Sequence, residues 1–303
     1  MTVIETQDLT KRYRKTLAVD RVSFTVERGQ IYGFLGPNGS GKTTTIGMLL
    51  GITTPTGGSF RLFGEQGPGD LHRVRRRVGA TLEQPNFYPY LSGYDNLRIA
   101  ATVKGAERTR IDEALEVVGL SDRRKDRFGT YSLGMKQRLA LAATLVGDPE
   151  LVILDEPANG LDPEGMREIR EIILELGERG KTIFLSSHLL HEVERTCTHV
   201  AVIRKGRIMR QDSVAGLLST NVVAELRAPD ADGLEAAVRA YPGTVAVRRE
   251  GEAVVAQLAD GDLGDLNRFL TRGGIYLSRL AHRQRSLEDA FLEITRTEEE
   301  VAA

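Results

Sequence analysis

Residues 36–43 read Gly36-Pro37-Asn38-Gly39-Ser40-Gly41-Lys42-Thr43 and satisfy G-x-x-x-x-G-K-[ST] at every fixed position. Three glycines let such a loop fold back so that successive backbone N–H groups point at phosphate oxygens. Lys42 adds a positive charge that reaches β- and γ-phosphates, and the Thr43 hydroxyl can ligate Mg²⁺. The loop implies a bound nucleoside triphosphate and leaves open what is done with it. A second constellation, Asp155-Glu156, follows four apolar residues, Leu151-Val152-Ile153-Leu154. Phosphoryl transfer asks a protein to hold the metal, orient water and neutralise charge. Asp155 suits the Mg²⁺ shell and Glu156 suits the water.

These residues need elements to place them. Ile31 to Leu35 reads as a buried strand, and Thr44 to Leu50 as a helix opening at the loop, its positive end aimed at the nucleotide. The run 151–154 fits a strand covered on both faces, with its carboxyl end delivering Asp155 and Glu156 beside the phosphates. Helix Pro163 to Gly177, strand Thr182 to Ser186, helix Leu189 to Cys197 and strand Val200 to Arg204 continue a βαβ rhythm, which implies a wound α/β core. Ahead of the loop, Val3 to Thr10 and Leu17 to Val26 read as an antiparallel pair. Ser59 to Phe63 and Val78 to Leu82 read as strands around a basic helix, Leu71 to Arg77, whose arginines form a solvated face. Residues from about 88 to 147 are helical, with Ser92 and Ser132 as caps. After a break near Ser219-Thr220 comes a second, smaller domain in the order β-α-β-β-α-β, that of a ferredoxin-like fold. Its strands are read at Val222 to Arg227, Thr244 to Arg248, Ala253 to Leu258 and Ile275 to Leu280. Ser286 and Asp289 resemble a capping box at the start of a last helix, and Glu298 to Glu300 read as a solvated tail.

The chain has 303 residues, 41% apolar and 27% charged, with net charge −1, the composition of a globular protein of two domains. Near-neutral charge gives no pull toward nucleic acid. No run reaches the roughly 18 apolar residues of a membrane span. The single cysteine, Cys197, excludes an internal disulfide and reads as a core thiol.

Read in order, further residues resemble the ATP-binding subunits of ABC transporters over about residues 2–218. Tyr13, in Leu9-Thr10-Lys11-Arg12-Tyr13, resembles the aromatic on which adenine stacks. Gly36 to Thr44 resembles the Walker A loop, and Gln84 the glutamine that senses Mg²⁺ and the attacking water. Leu151 to Pro157 resembles Walker B with its catalytic Glu156. Gly160-Leu161-Asp162 resembles the D-loop, and His188, after Ser186-Ser187, the switch histidine. The signature loop departs from its usual Leu-Ser-Gly-Gly-Gln: here it is Tyr131-Ser132-Leu133-Gly134-Met135. Ser132 and Gly134 are kept, as cap and phosphate donor and as the point of close backbone approach. This wording and the ending Ser286-Leu287-Glu288-Asp289-Ala290-Phe291 resemble exporters of the ABC-2 type, including the bacitracin- and lantibiotic-resistance subfamily.

The resemblance implies an α/β P-loop NTPase core, residues 1–219, with an antiparallel β subdomain and a helical subdomain. An accessory α+β domain follows at 220–303. It implies ATP and Mg²⁺ as ligands and two copies facing head to tail, with each nucleotide between one Walker A loop and the other signature loop. It also implies a separate membrane permease, a cytoplasmic position at the inner face of the membrane, and export of a drug, antibiotic peptide or lipid-like substrate. Phe87, Tyr88, Tyr90 and Tyr94 would suit the groove that receives the permease. The alternative is an ABC-type ATPase acting on the ribosome or on DNA. A single phosphate loop and no sustained heptads disfavour it.

Overall fold

The computed structural model describes residues 1–82, 85–218, 222–259, 262–283, 286–292 and 294. It divides into two compact units, Met1–Asp212 and Ser213–Ala303, so the division falls ahead of the break read near Ser219. Gln84, Ser219, Thr220 and the acidic tail lie outside the described residues.

In the first unit, β1 (Thr2–Tyr13) and β2 (Thr16–Glu27) form an antiparallel hairpin. Along β2, Val22, Phe24 and Val26 are buried while Ser23 and Thr25 face solvent, the period of a sheet with one wet face. β3 (Ile31–Leu35) leads into α1 (Lys42–Leu49), and β4 (Gly57–Leu62) and β5 (Glu65–Gly67) complete a four-stranded sheet ordered β2-β1-β4-β5. β6 (Val78–Thr81) is followed by the helices α2 (Gly93–Lys104), α3 (Thr109–Val117) and α4 (Leu133–Leu145). Ser92 caps α2 by accepting the Asp95 N–H at 3.0 Å, and Ser132 caps α4 by accepting that of Met135 at 3.2 Å.

The alternation then resumes with β7 (Leu151–Asp155), α5 (Pro163–Glu178), β8 (Thr182–Ser187), α6 (Leu190–Thr196), β9 (His199–Arg204) and β10 (Arg207–Ser213). The resulting six-stranded sheet has the order β10-β9-β3-β8-β7-β6. β3, β7 and β8 are buried at every residue and run parallel, which is why 31–35 and 151–154 read as unbroken apolar runs. Phe24 of β2 packs on Tyr32, Phe34 and Phe184, with ring centroids 5.8, 5.4 and 5.6 Å away. Each such aromatic pair adds about 0.5–1.5 kcal/mol to the area it buries. This cluster fastens the antiparallel sheet to the parallel one.

The second unit carries α7 (Val214–Leu218), β11 (Val222–Arg227), α8 (Ala231–Ala240), β12 (Thr244–Glu250), β13 (Ala253–Leu258), α9 (Leu263–Arg272) and β14 (Arg279–Arg283). The sheet order β12-β13-β11-β14 with antiparallel pairing gives the ferredoxin-like arrangement. Leu226, Leu234, Val238, Val254, Leu258, Leu266 and Leu270 make its own core. Ser286 accepts the Asp289 N–H at 3.1 Å and Asp289 accepts that of Ser286 at 3.2 Å, a reciprocal cap for helix 287–292.

Two expectations are corrected. The stretch read as a basic helix, Leu71 to Arg77, is two 3₁₀ turns, Leu71–Arg73 and Arg75–Arg77. Only Leu71 and Val74 are buried in it, too few to anchor an α-helix, and its bonds close from Val74 to Leu71 and from Arg77 to Val74. The last strand is Arg279–Arg283, not Ile275 to Leu280. Ile275 and Leu277 are apolar because they pack on the core, whereas backbone bonding to β11 begins only at Ser278, whose N–H reaches the Arg227 carbonyl at 2.8 Å.

Arg77 is also more than a solvated charge. Its guanidinium lies 3.7 Å from the Phe63 ring centroid and its Nε is 2.5 Å from Glu150, which Arg28 also meets, at 2.6 Å. Hydrogen bonds from Arg77 and then Arg28 hold the Glu150 carboxyl at about 2, against an ordinary 4.5. A depressed carboxyl stabilises the fold fully above its unfolded value and loses that contribution as pH falls toward its folded one. Glu150→Gln is therefore expected to lower stability at pH 7 by about 1 kcal/mol or less, since the group is partly exposed. Urea midpoints of the two proteins should differ at neutral pH and converge as pH drops below 4.5.

Candidate functional site

The carboxyl ends of three neighbouring strands meet at one place. Leu35 of β3 pairs with Ser187 of β8, and Ser186 of β8 with Asp155 of β7. The Gly36 N–H donates to the Ser187 carbonyl at 3.3 Å, tying the glycine loop to β8. A Cβ at Gly36 would sit 2.3 Å from the Ile203 carbonyl oxygen. One at Gly41, whose φ is +110°, would sit 2.6 Å from that of Ala18. Neither position has room for a side chain, so the loop depends on glycine there. Pro37, Asn38 and Gly39 are exposed at its tip and Thr43 and Thr44 reach the surface behind it, while Ser40 is buried. Gly41 is the N-cap of α1 and supplies no side-chain cap, so no side chain competes for the first-turn amides.

Lys42 is only 5% exposed, yet its ammonium donates to backbone carbonyls, Gly36 at 2.7 Å and Pro37 at 3.3 Å. Glu156 Oε1 lies 3.1 Å away, close enough for an ion pair but without hydrogen-bond geometry. The other carboxylate oxygen, Oε2, is 2.8 Å from His188 Nδ1. Asp155, 1% exposed, accepts the Ser186 hydroxyl on Oδ1 at 2.5 Å. Glu156 has φ +51°, a left-handed backbone that non-glycine residues seldom adopt, and its N–H donates to Ser186 Oγ at 2.9 Å.

The structure thus brings Lys42, Asp155, Glu156 and His188 together at the loop. It does not bring the others there. Ser132 and Gly134 line a separate groove with Gly160, Leu161 and Asp162, and no phosphate-loop residue lines it. Asp162 caps α5, accepting the Gly165 N–H at 3.0 Å. Tyr13 ends β1 and is 45% exposed, with Lys11 Nζ 4.9 Å from its ring centroid. The aromatic cluster divides: Phe87 meets Phe128 edge-on at 5.2 Å, while Tyr88 and Tyr90 stay exposed as a pair at 5.8 Å. Ser186 was not singled out from the sequence, although a polar pair closing a buried strand before His188 marks it.

The donor set fits a triphosphate. A buried ammonium hydrogen-bonded only to carbonyls, with the Glu156 carboxylate beside it, uncapped helix amides and a Ser40 hydroxyl with no partner are groups that can receive phosphate oxygens. The described residues hold no cluster of three or more His, Cys, Asp or Glu side chains fit for a metal. One carboxylate and one hydroxyl still suit Mg²⁺, which keeps several waters and shares substrate phosphates. Among the described residues no helix is long and apolar enough to cross a membrane.

Residues 19–159 match the protein family described as ABC transporter. The bacitracin transport ATP-binding protein BcrA of Enterococcus faecalis is 39% identical over 96% of this chain and 96% of its own length. The Nod factor export ATP-binding protein I of Burkholderia pseudomallei is 37% identical over 96% of each chain. A solved dimeric bacterial ABC transporter cassette is 25% identical, with a TM-score of 0.64 over 70% of this chain and 98% of that one. The phosphate loop, the Asp155–Glu156 pair and full-length relatives agree, and the chain belongs to the ABC transporter ATP-binding proteins, which bind and hydrolyse ATP.

Proposed function

We propose that this chain powers an exporter, working as a head-to-tail pair of copies docked on a separate membrane permease at the inner face of the membrane. The observation that carries the catalytic reading is the carboxylate of Glu156, with Lys42 beside one oxygen and His188 bonded to the other at the mouth of the phosphate loop. The names of the relatives, bacitracin transport and Nod factor export, support export as the direction.

In this reading the amides of 36–44 cradle the phosphates and Tyr13 stacks on adenine. Lys42 moves from the Gly36 and Pro37 carbonyls to the β- and γ-phosphates, a stronger acceptor for a buried ammonium. Thr43, Asp155 and Gln84 would hold Mg²⁺, which when bound would offset the charge on the phosphate oxygens. Glu156 orients a water and accepts its proton as the water oxygen bonds to the γ-phosphorus and the bond to ADP breaks. His188 keeps the carboxylate aimed. Ser132 and Gly134 lie at the start of α4, in a groove that their own phosphate loop does not line. A second copy brings them to the γ-phosphate, with Asp162 beside them. The exposed Tyr88 and Tyr90 suit the permease contact.

Lys42→Ala removes a charge-assisted hydrogen bond worth about 1.5–3 kcal/mol, so calorimetry should show ATP bound about 10- to 100-fold more weakly. Unchanged affinity would remove Lys42 from the site.

Glu156→Gln should cut turnover about 10²- to 10⁴-fold, because an amide cannot take the proton. Its size is kept, so ATP should still bind and, uncleaved, bridge two copies. Light scattering after size exclusion should find a dimer in ATP and a monomer in ADP. A monomer in both, or full hydrolysis by the variant, would falsify the assignment.

A further inference from the structure

Ser186 has no place in the roles above, yet it touches both halves of the hydrolytic pair. It is fully buried on β8, opposite Asp155 in the parallel register. A serine hydroxyl has one hydrogen to give and lone pairs to receive. Here the hydrogen goes to Asp155 Oδ1 at 2.5 Å, a length typical of a hydroxyl on an ionised carboxylate. The lone pair receives the Glu156 N–H at 2.9 Å. Both bonds come from one atom, so the two acidic residues share a single fixed point.

Each bond has a consequence. With Oδ1 occupied by the hydroxyl, Asp155 cannot rotate freely, and Oδ2 is the oxygen that this bond leaves for a metal. The Glu156 N–H belongs to a residue whose φ of +51° is unfavourable for anything but glycine. Its bond to a buried acceptor that is itself bonded to Asp155 opposes relaxation of that backbone to the ordinary right-handed region. Relaxation would swing the side chain away from His188, which it meets at 2.8 Å. None of the bonds that hold the phosphate loop itself, such as those of Lys42 to Gly36 and Pro37, passes through Ser186.

We propose that Ser186 is a positioning residue whose hydroxyl sets both the metal-facing oxygen of Asp155 and the strained backbone of Glu156. This rests on the reading of Asp155 as the Mg²⁺ ligand and Glu156 as the base. It separates two functions of the site: grip on the nucleotide, which belongs to the loop, and alignment for hydrolysis, which passes through one hydroxyl on β8.

The test compares the full-length wild type with Ser186→Ala, Ser186→Thr and Glu156→Gln. Turnover is measured, and ATP affinity is measured by calorimetry in EDTA and again with Mg²⁺. Ser186→Ala should lose about 10- to 100-fold in kcat with KM little changed, as removal of a partner behind a metal ligand does. Its affinity for ATP in EDTA should match wild type, which also shows that the variant is folded. The gain in affinity brought by Mg²⁺ should shrink about tenfold. Ser186→Thr keeps the hydroxyl and should recover most of both. Wild-type kcat and a wild-type Mg²⁺ gain in Ser186→Ala would overturn the proposal. So would an equal loss of affinity in EDTA, or a threonine variant no better than alanine. An inactive Glu156→Gln beside a fully active Ser186→Ala sinks only the role of Ser186, whereas an active Glu156→Gln sinks the reading on which it rests.

Discussion

A positive charge buried without an anion in hydrogen-bonding geometry governs the arrangement of the first unit. Lys42 is nearly closed off from water and leans on two backbone carbonyls of its own loop. Taking an ammonium out of water is costly unless strong acceptors replace the hydration. Carbonyls are weak acceptors for it, and Glu156 stands close without completing a bond. The ammonium therefore rests on weak acceptors and a loosely placed carboxylate, and a triphosphate is the kind of group that replaces both. Glu156 then has only His188 as its described cationic or donor neighbour at the side chain, and its carboxylate is released from the ammonium for work on water.

Holding such a charge in place requires a rigid frame, and the frame is the parallel sheet. β8 lies between β3 and β7, so the loop and the Asp155–Glu156 pair each end one strand spacing from the Ser186–Ser187 pair. The aromatic packing of Phe24 against Tyr32, Phe34 and Phe184 fixes the second sheet to this one. Through that packing β2 comes to face the loop, and its Ala18 carbonyl forms part of the wall around Gly41.

Much of this was legible in the residues, and the reasons are physical. A strand buried on both faces has no polar positions to disguise it, which is why 151–154 was readable and why the acids after it could be placed. Glycine at 36 and 41 signals a backbone crowded too closely for a side chain, and at 39 a positive φ that other residues seldom adopt. What escaped reading was set by tertiary contact. The apolar residues Ile275 and Leu277 suggested pairing but serve packing, so the last strand begins later. Leu71 to Arg77 suggested a basic helix, but only Leu71 and Val74 face inward. Ser186 resembles any strand-end serine until the register with Asp155 is known.

The crowding of Gly36 against Ile203 and of Gly41 against Ala18 has a consequence for how the molecule acquires its activity. The loop is a short local segment, but its walls come from positions 18 and 203, far apart along the chain. A segment of this kind has little reason to hold its shape alone, since glycines are the residues with most freedom to lose. The walls must first be assembled by closing long stretches of chain, which is the slow part of folding in sheets with distant partners. Affinity for nucleotide is thus a late-arriving property, a report that both sheets have already docked.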